Sequence, residues 1–343
     1  LSLRRQRQMC IRDSSRTAFA AVVTAAALTI TGCSGAEEST GGEDNAASTS
    51  DTAQAENAVT VEDNYGSKEV PSPPKRVVAL DNRSFELLDQ WGVKPVAAAR
   101  ALVPVSIPGI ADDEEIIDIG NHREPNLEAI VAAEPDVIVS GQRFEKYDQD
   151  IEKLAPDAVL VDFEPREGES LDAELIRQTE ALGTIFGKEA EAEQTIQDFK
   201  DALERAKKAY DPEQKVMAVN VSGGEIGYVA PSLGRVWGPL FDLLGMTPAL
   251  EVDNASDDHQ GDDISVEAIA SANPDWILAL DRDAAIKTED SPAALSVLAD
   301  SAALQNVKAI QEDHVYVAPN DTYTNESIIT YTEILNELAE KFE

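Results

Sequence analysis

The chain has 343 residues, with 28 Lys and Arg against 65 Asp and Glu, a formal net charge of −37 and 43% hydrophobic residues. This balance excludes unspecific binding to nucleic acid or to anionic lipid surfaces, while the apolar content suffices for one large or two medium cores. An anionic ligand would need a local cationic cluster working against the global field, so arginines in predicted loops are informative.

The chain opens on Leu rather than Met, and its first dozen residues need not be native sequence. Arg12 and Arg16 then precede an apolar stretch over 17–30, too short to stay in a bilayer as a spanning helix and patterned like an export signal. It ends at Ile30-Thr31-Gly32-Cys33, which resembles the lipobox of bacterial lipoproteins. That resemblance implies cleavage after residue 32 and a lipid on Cys33, making 1–32 a lipoprotein signal peptide. Cys10 precedes the cleavage and Cys33 carries the lipid, so no disulfide, thiol chemistry or Cys-ligated metal is expected in the mature chain. Residues 33–58 are small, polar and acidic without an apolar period, and read as a disordered tether.

The remainder carries an internal duplication. EAIVAAEPDVIV at 128–139 returns as EAIASANPDWIL at 267–278, with seven of twelve positions identical and an offset of 139. KRVVALD at 75–81 and KVMAVNV at 215–221 read as buried strands with Val77 and Val216 at the same offset. LLDQWGVKP at 87–95 and LFDLLGMTP at 240–248 read as helical segments that end alike. Asn126 and Ser265 stand two residues before each Glu as helix N-caps, which places Glu128 and Glu267 in first turns, where a carboxylate favours the helix dipole.

Strands alternating with helices predict an α/β fold of two Rossmann-like lobes with central parallel sheets and a ligand cleft between them. The N-terminal lobe is expected over 59–170 and the C-terminal lobe over 211–343, with 329–342 as a closing helix. A rigid helical segment over 171–210 joins them, interrupted at Gly183 and Gly187. No Gly/Ser-rich linker is present, so only modest hinging and a largely pre-formed cleft are expected.

The repeat also locates a site. Arg143 and Arg282 each stand fifteen residues after the duplicated Glu, beyond the carboxyl end of equivalent strands, where open α/β sheets bind ligands. Arg235, in the loop of PSLGRVWG, is a third candidate. His122 in GNHREPN reads as a helix-starting turn, with cleft lining as its alternative, His314 as structural, Tyr316 as inward-packing, and Trp237 as a core anchor, with ligand stacking as its alternative.

From about Val59 onward the chain resembles the class III substrate-binding proteins of ABC importers, which serve iron–siderophores, haem and cobalamin. The residues that carry this are the lipobox, PKRVVALD, PNLEAIVAAEPDVIV, ISVEAIASANPDWIL and GRVWGPLFDLLG. SGQRFEKYD, PSLGRVWG, DDHQG, LDRDAA and PNDTYT are most similar to the branch that binds ferric catecholate siderophores of the enterobactin and petrobactin kind. The resemblance implies an extracytoplasmic protein, anchored by lipid alone to the outer face of the cytoplasmic membrane, or at the cell surface of a Gram-positive. It further implies a monomer that passes a ferric siderophore to permease subunits and has no intrinsic cofactor. Arg143, Arg235 and Arg282 would hold the anionic ferric complex; a tris-catecholate of Fe(III) carries charge −3 on oxygens suited to forked guanidinium donors. His259 and Tyr323 match the positions that complete iron coordination when the ligand supplies only two catechols. Glu128 and Glu267 match the positions that meet permease arginines. Two departures stand out: Gln142 shifts Arg143 by one place, and Thr322 replaces an aromatic beside Tyr323.

No GxSxG, HExxH or GxxxxGK[ST] motif is present, so no enzyme is expected. Haem, cobalamin or hydroxamate-siderophore binding stays open within the same family. A Zn- or Mn-binding solute-binding protein is the other alternative, although only three His are available.

Overall fold

The computed structural model describes residues 57–286, 288 and 291–343. The predicted signal peptide, Cys33 and nearly all of the tether lie outside the described residues. An antiparallel hairpin comes first, β1 (Ala58–Asp63) with β2 (Gly66–Pro71), which the sequence patterns do not announce. It leads into β3 (Val77–Ala79) and α1 (Phe85–Gln90), followed by the short strands β4 (Ala97–Ala98) and β5 (Ile117–Asp118). The first copy of the repeat forms α2 (Leu127–Ala132) and β6 (Val137–Ser140), and β7 (Val159–Asp162) closes the sheet. The strand order is β5-β4-β3-β6-β7, all parallel.

Helices α3 (Leu171–Phe186) and α4 (Glu189–Ala209) cross to the second sheet. That sheet contains β8 (Lys215–Ser222), its antiparallel hairpin partner β9 (Glu225–Val229), β10 (Thr247–Pro248), β11 (Trp276–Asp281) and β12 (Val315–Val317). Its order is β9-β8-β11-β12 with β10 beside β8, and only the β9 edge is antiparallel. Helices α5 (Trp237–Leu244) and α6 (Val266–Ala272) belong to this half, and α8, after α7 (Ala294–Asp300), is the terminal helix Ile328–Phe342.

The duplicated phrase folds the same way twice. Val77 pairs with Val137 and Val216 with Trp276, the same register in both sheets. Asn126 and Ser265 cap their helices by accepting from the amides of Ala129 and Ala268, each at 3.1 Å. The Pro-Asp pair is structural. Asp136 accepts from the amides of Lys75 and Arg76 at 2.7 and 2.9 Å, and Asp275 accepts from Lys215 at 2.7 Å. Each carboxylate thus ties the start of the central strand to its neighbour, and such a charged bond contributes about 1.5–3 kcal/mol.

Of the two expected interruptions in the connecting segment, only Gly187 is one. Its φ of 63° ends α3 in the left-handed conformation that glycine tolerates best. Gly183 stays helical and serves contact instead, because a Cβ there would lie 2.6 Å from that of Ala192 on α4. Apolar residues at helical spacing (Ala192, Ile196, Phe199, Leu203 and Ala206) bury one face of α4, against which α8 lays Tyr331, Ile334, Leu335 and Leu338. The closing helix therefore fastens onto the connector. Among the described residues no helix is long and apolar enough to cross a membrane.

Candidate functional site

Both sheets direct their carboxyl ends toward one group of charged side chains. Beyond β6, Phe144 is fully buried and its amide closes a turn onto the Gly141 carbonyl at 2.8 Å, which presents Arg143. The Nε and Nη2 of Arg143 are buried without a partner. Burial first, then the nearby Arg235 charge, lower its pKa below the ordinary arginine value, while Glu326 and Tyr323 act in the opposite sense.

Arg282 follows β11 directly, in a short turn that Asp281 fixes by accepting from the amides of Ala284 at 3.0 Å and Ala294 at 2.8 Å. Its Nη1 donates to the Ser222 hydroxyl at 3.1 Å, the Asp283 carboxylate stands at 3.9 Å, and its Nε has no partner. Arg235 precedes Val236, whose φ of 63° and ψ of −61° place it at the centre of a γ-turn closed by the Trp237 amide on the Arg235 carbonyl at 2.7 Å. A β-branched residue in that conformation is strained by about 1–3 kcal/mol, a cost sustained by the fully buried Trp237 next to it. The turn aims Arg235 at the Glu326 carboxylate, to which it donates.

Tyr323 lies beneath two of these groups. It is 5% exposed, and the guanidinium carbons of Arg235 and Arg282 sit 4.7 and 5.3 Å from its ring centre. Arg143, Arg235, Arg282 and Tyr323 are therefore brought together.

His259 is not among them. It sits in the turn closed by the Gly261 amide on the Asp258 carbonyl, its side chain is 55% exposed, and its nearest charged partner is Asp258 at 4.0 Å. Only its backbone reaches inward, where its carbonyl accepts from Asn220 Nδ2 at 2.9 Å. Among the described residues no group of three or more His, Cys, Asp or Glu gathers into a metal site. Glu128 and Glu267 are exposed in the first turns of α2 and α6, and neither forms a salt bridge among the described residues.

His122 lies close enough to Arg143 for that charge, after burial, to depress its pKa, and its Nδ1 is buried without a partner. His314 stacks on Trp276 at 4.3 Å and 8°, a structural role as expected. Trp237 and Tyr316 meet edge-on inside the core at 5.9 Å.

The cluster also holds residues the sequence patterns passed over. Arg83, just beyond β3, donates to Glu164 at 2.7 Å and to Glu326 at 3.3 Å. The strand-end rule that flagged Arg143 applies equally to Arg83 and could have found it. Glu326 offered no such signal, since an acidic residue before a helix is ordinary. Burial pushes the carboxyl of Glu164 up to about 7 and that of Asp81 beneath it up to about 6, against the pull of Arg83 on both.

A groove of about 1200 Å³ opens beside Ser222, lined by Gly223, Gly224, Gln260, Asp263 and Asp300 among others. Among the described residues no Lys or Arg lines it.

With this geometry in place, the chain can be compared with known proteins. The periplasmic binding protein family matches residues 77–322. The ferric-anguibactin-binding protein FatB of Vibrio anguillarum is 27% identical over 327 residues, which is 94% of this chain and 97% of that protein. The petrobactin-binding protein YclQ of Bacillus subtilis is 25% identical over 331 residues, 95% of this chain and 98% of that one. Among solved structures, the periplasmic catecholate-siderophore binding protein VctP of Vibrio cholerae superposes with a TM-score of 0.69 at 21% identity, covering 83% of this chain and 99% of that chain. That last likeness speaks to the fold.

Proposed function

The chain belongs to the periplasmic binding protein family, a non-enzymatic component of transport, and on that premise we propose that it captures an anionic ferric siderophore between its lobes and delivers it to an ABC permease. The observation that carries this reading is a set of unmet donors. Nε of Arg83, Arg143, Arg235 and Arg282, and Nη2 of Arg143, are all buried without a hydrogen-bond partner among the described residues. A buried charged donor left unmet costs several kcal/mol, and an oxygen-rich anion would satisfy several at once.

Relatives named for ferric-anguibactin and petrobactin binding support an iron–siderophore cargo. The resemblance of SGQRFEKYD, PSLGRVWG and PNDTYT supports a catecholate, whose charge suits Arg143, Arg235 and Arg282. Tyr323 supplies a phenolic oxygen from among those arginines, a hard donor suited to Fe(III). His259 would join it only if the exposed turn at 258–261 folds over the cleft. In this reading Cys33 carries the lipid that holds the protein outside the cytoplasmic membrane, and Glu128 and Glu267 face the permease.

Intrinsic Trp fluorescence tests the cargo, because Trp237 lies two residues from Arg235. Quenching would be titrated with ferric catecholate, hydroxamate and citrate complexes, haem, cobalamin and Zn(II). Tightest binding of an anionic ferric catecholate is expected. Preference for a hydroxamate removes the catecholate assignment, and a response to Zn(II) alone removes the siderophore assignment altogether.

A further inference from the structure

Glu326 is 7% exposed and shares its charge between the two halves of the molecule. One carboxylate oxygen accepts from Arg235, and the other accepts from Arg83 Nη2 at 3.3 Å. The two residues before it are tied to the first half: Asn82 Nδ2 donates to the Thr324 carbonyl at 2.7 Å, and Asn325 Nδ2 donates to Glu86 at 3.1 Å. Burial alone would raise the pKa of Glu326, yet Arg235, Arg83 and Arg143 outweigh it and hold the carboxyl below the usual range. Glu326 is therefore an ionised carboxylate inside the arginine cluster.

The three cleft arginines are consequently not equivalent. Among the described residues Arg143 makes no ion pair, and Arg282 has the Ser222 hydroxyl with Asp283 only at 3.9 Å. Arg235 alone among them is already held in a direct charge-assisted hydrogen bond from within the protein. A ligand anion approaching Arg235 meets a charge of its own sign.

We propose that Glu326 is an internal competitor for the ligand: it holds the anion position at Arg235, gives way as the ligand binds while Arg83 retains it, and so limits affinity and speeds release. This rests on the ferric-anion reading of the cleft. The benefit to a delivery protein is kinetic, since cargo leaves faster when a resident anion can retake its place, and affinity differences among variants of one site reside mostly in the off-rate.

The test is Glu326→Gln, which keeps the shape and the acceptor oxygen but removes the charge. Two probes are titrated by Trp quenching and followed by stopped-flow dissociation: a ferric tris-catecholate of charge −3 and a ferric bis-catecholate of charge −1. The variant is expected to bind the tris-catecholate roughly tenfold or more tightly than the unmodified protein, through slower dissociation. A smaller gain is expected for the bis-catecholate, because repulsion from a nearby charge scales with the charge on the ligand. Unchanged or weaker binding by a folded variant, or an equal gain for both probes, overturns the proposal.

Should Glu326→Gln fail to fold, Glu326→Asp keeps the charge but draws it back from Arg235 by one methylene. It is expected to show a gain of the same sign, and no gain overturns the proposal. Failure of the unmodified protein to bind either probe would instead sink the reading of the cleft, a result distinct from binding that the substitution leaves unaltered.

Discussion

The guanidinium carbon of Arg235 lies 4.7 Å from the centre of the Tyr323 ring, and the ring is buried beneath it. A cation held over an aromatic face keeps its position when the phenol oxygen is removed, because the attraction is to the ring. Tyr323→Phe should accordingly leave affinity for a ferric tris-catecholate within about threefold, as that ligand fills all six iron positions. With a ferric bis-catecholate the same substitution should change the ligand-to-metal charge-transfer band. Absorption spectra of the two complexes check this, and an unchanged band with intact affinity would remove Tyr323 as an iron ligand.

Arg143 and Arg83 should separate binding from folding. Among the described residues Arg143 has two buried nitrogens without partners and no ion pair, so Arg143→Ala is expected to weaken binding of an anionic ferric complex about ten- to a hundred-fold. Its thermal stability without ligand should hold or rise, since an uncompensated buried charge is removed. Arg83 joins Glu164 at 2.7 Å and Glu326 at 3.3 Å, and Arg83→Met would leave Glu164 without its cation while Glu326 keeps Arg235. A loss of about 3–5 kcal/mol is expected in denaturant unfolding. Equal destabilisation by the two substitutions would contradict this division.

Asp148 should give the folded protein a stability that declines as pH rises. Burial pushes its carboxyl up to about 7 in the folded state, while Ser140 at 2.5 Å and Tyr65 at 2.9 Å donate to it. The folded protein therefore holds a proton that the unfolded chain releases near the ordinary aspartate value. Between about pH 4 and 7 the folded state binds more protons, so the contribution of this group falls as pH rises and is fully unfavourable above 7. Asp148→Asn should remove that slope and stabilise the protein at pH 8 by roughly 2–4 kcal/mol. Thermal unfolding at pH 5 and pH 8 checks it, and an equal effect at both values would exclude titration as the cause.

Glu128 and Glu267 should matter to transport and not to capture. Both are exposed, and neither touches the arginine cluster. Reversing both charges, Glu128→Arg with Glu267→Arg, is expected to abolish uptake in a transport assay with ligand affinity unchanged within about twofold. Each substitution should lower stability by no more than about 1 kcal/mol through the helix dipole. Normal uptake by the double variant would show that docking uses another surface.

Much of the fold was legible because the duplicated phrase is a local code. A capping residue, an apolar helix face, a Pro-Asp turn and a buried strand are specified within about fifteen residues, and each part acts on backbone groups close by or one strand away. Asn126, Ser265, Asp136 and Asp275 therefore did the same work in both halves, and the strand ends placed Arg143 and Arg282 without any knowledge of tertiary contacts. Local patterns were enough to specify two α/β halves of common plan with an arginine beyond an equivalent strand of each. Which charges meet was settled by packing alone. Arg83 and Glu326 are 243 positions apart, so nothing local announces that one will neutralise part of the other or draw on Arg235 as well. The same holds for the burial of Tyr323 under two guanidinium groups and for the exposure of His259 on its turn. Secondary structure follows from short-range sterics and hydrogen bonding, whereas the pairing of charges depends on distances and desolvation that exist only once the two halves are packed.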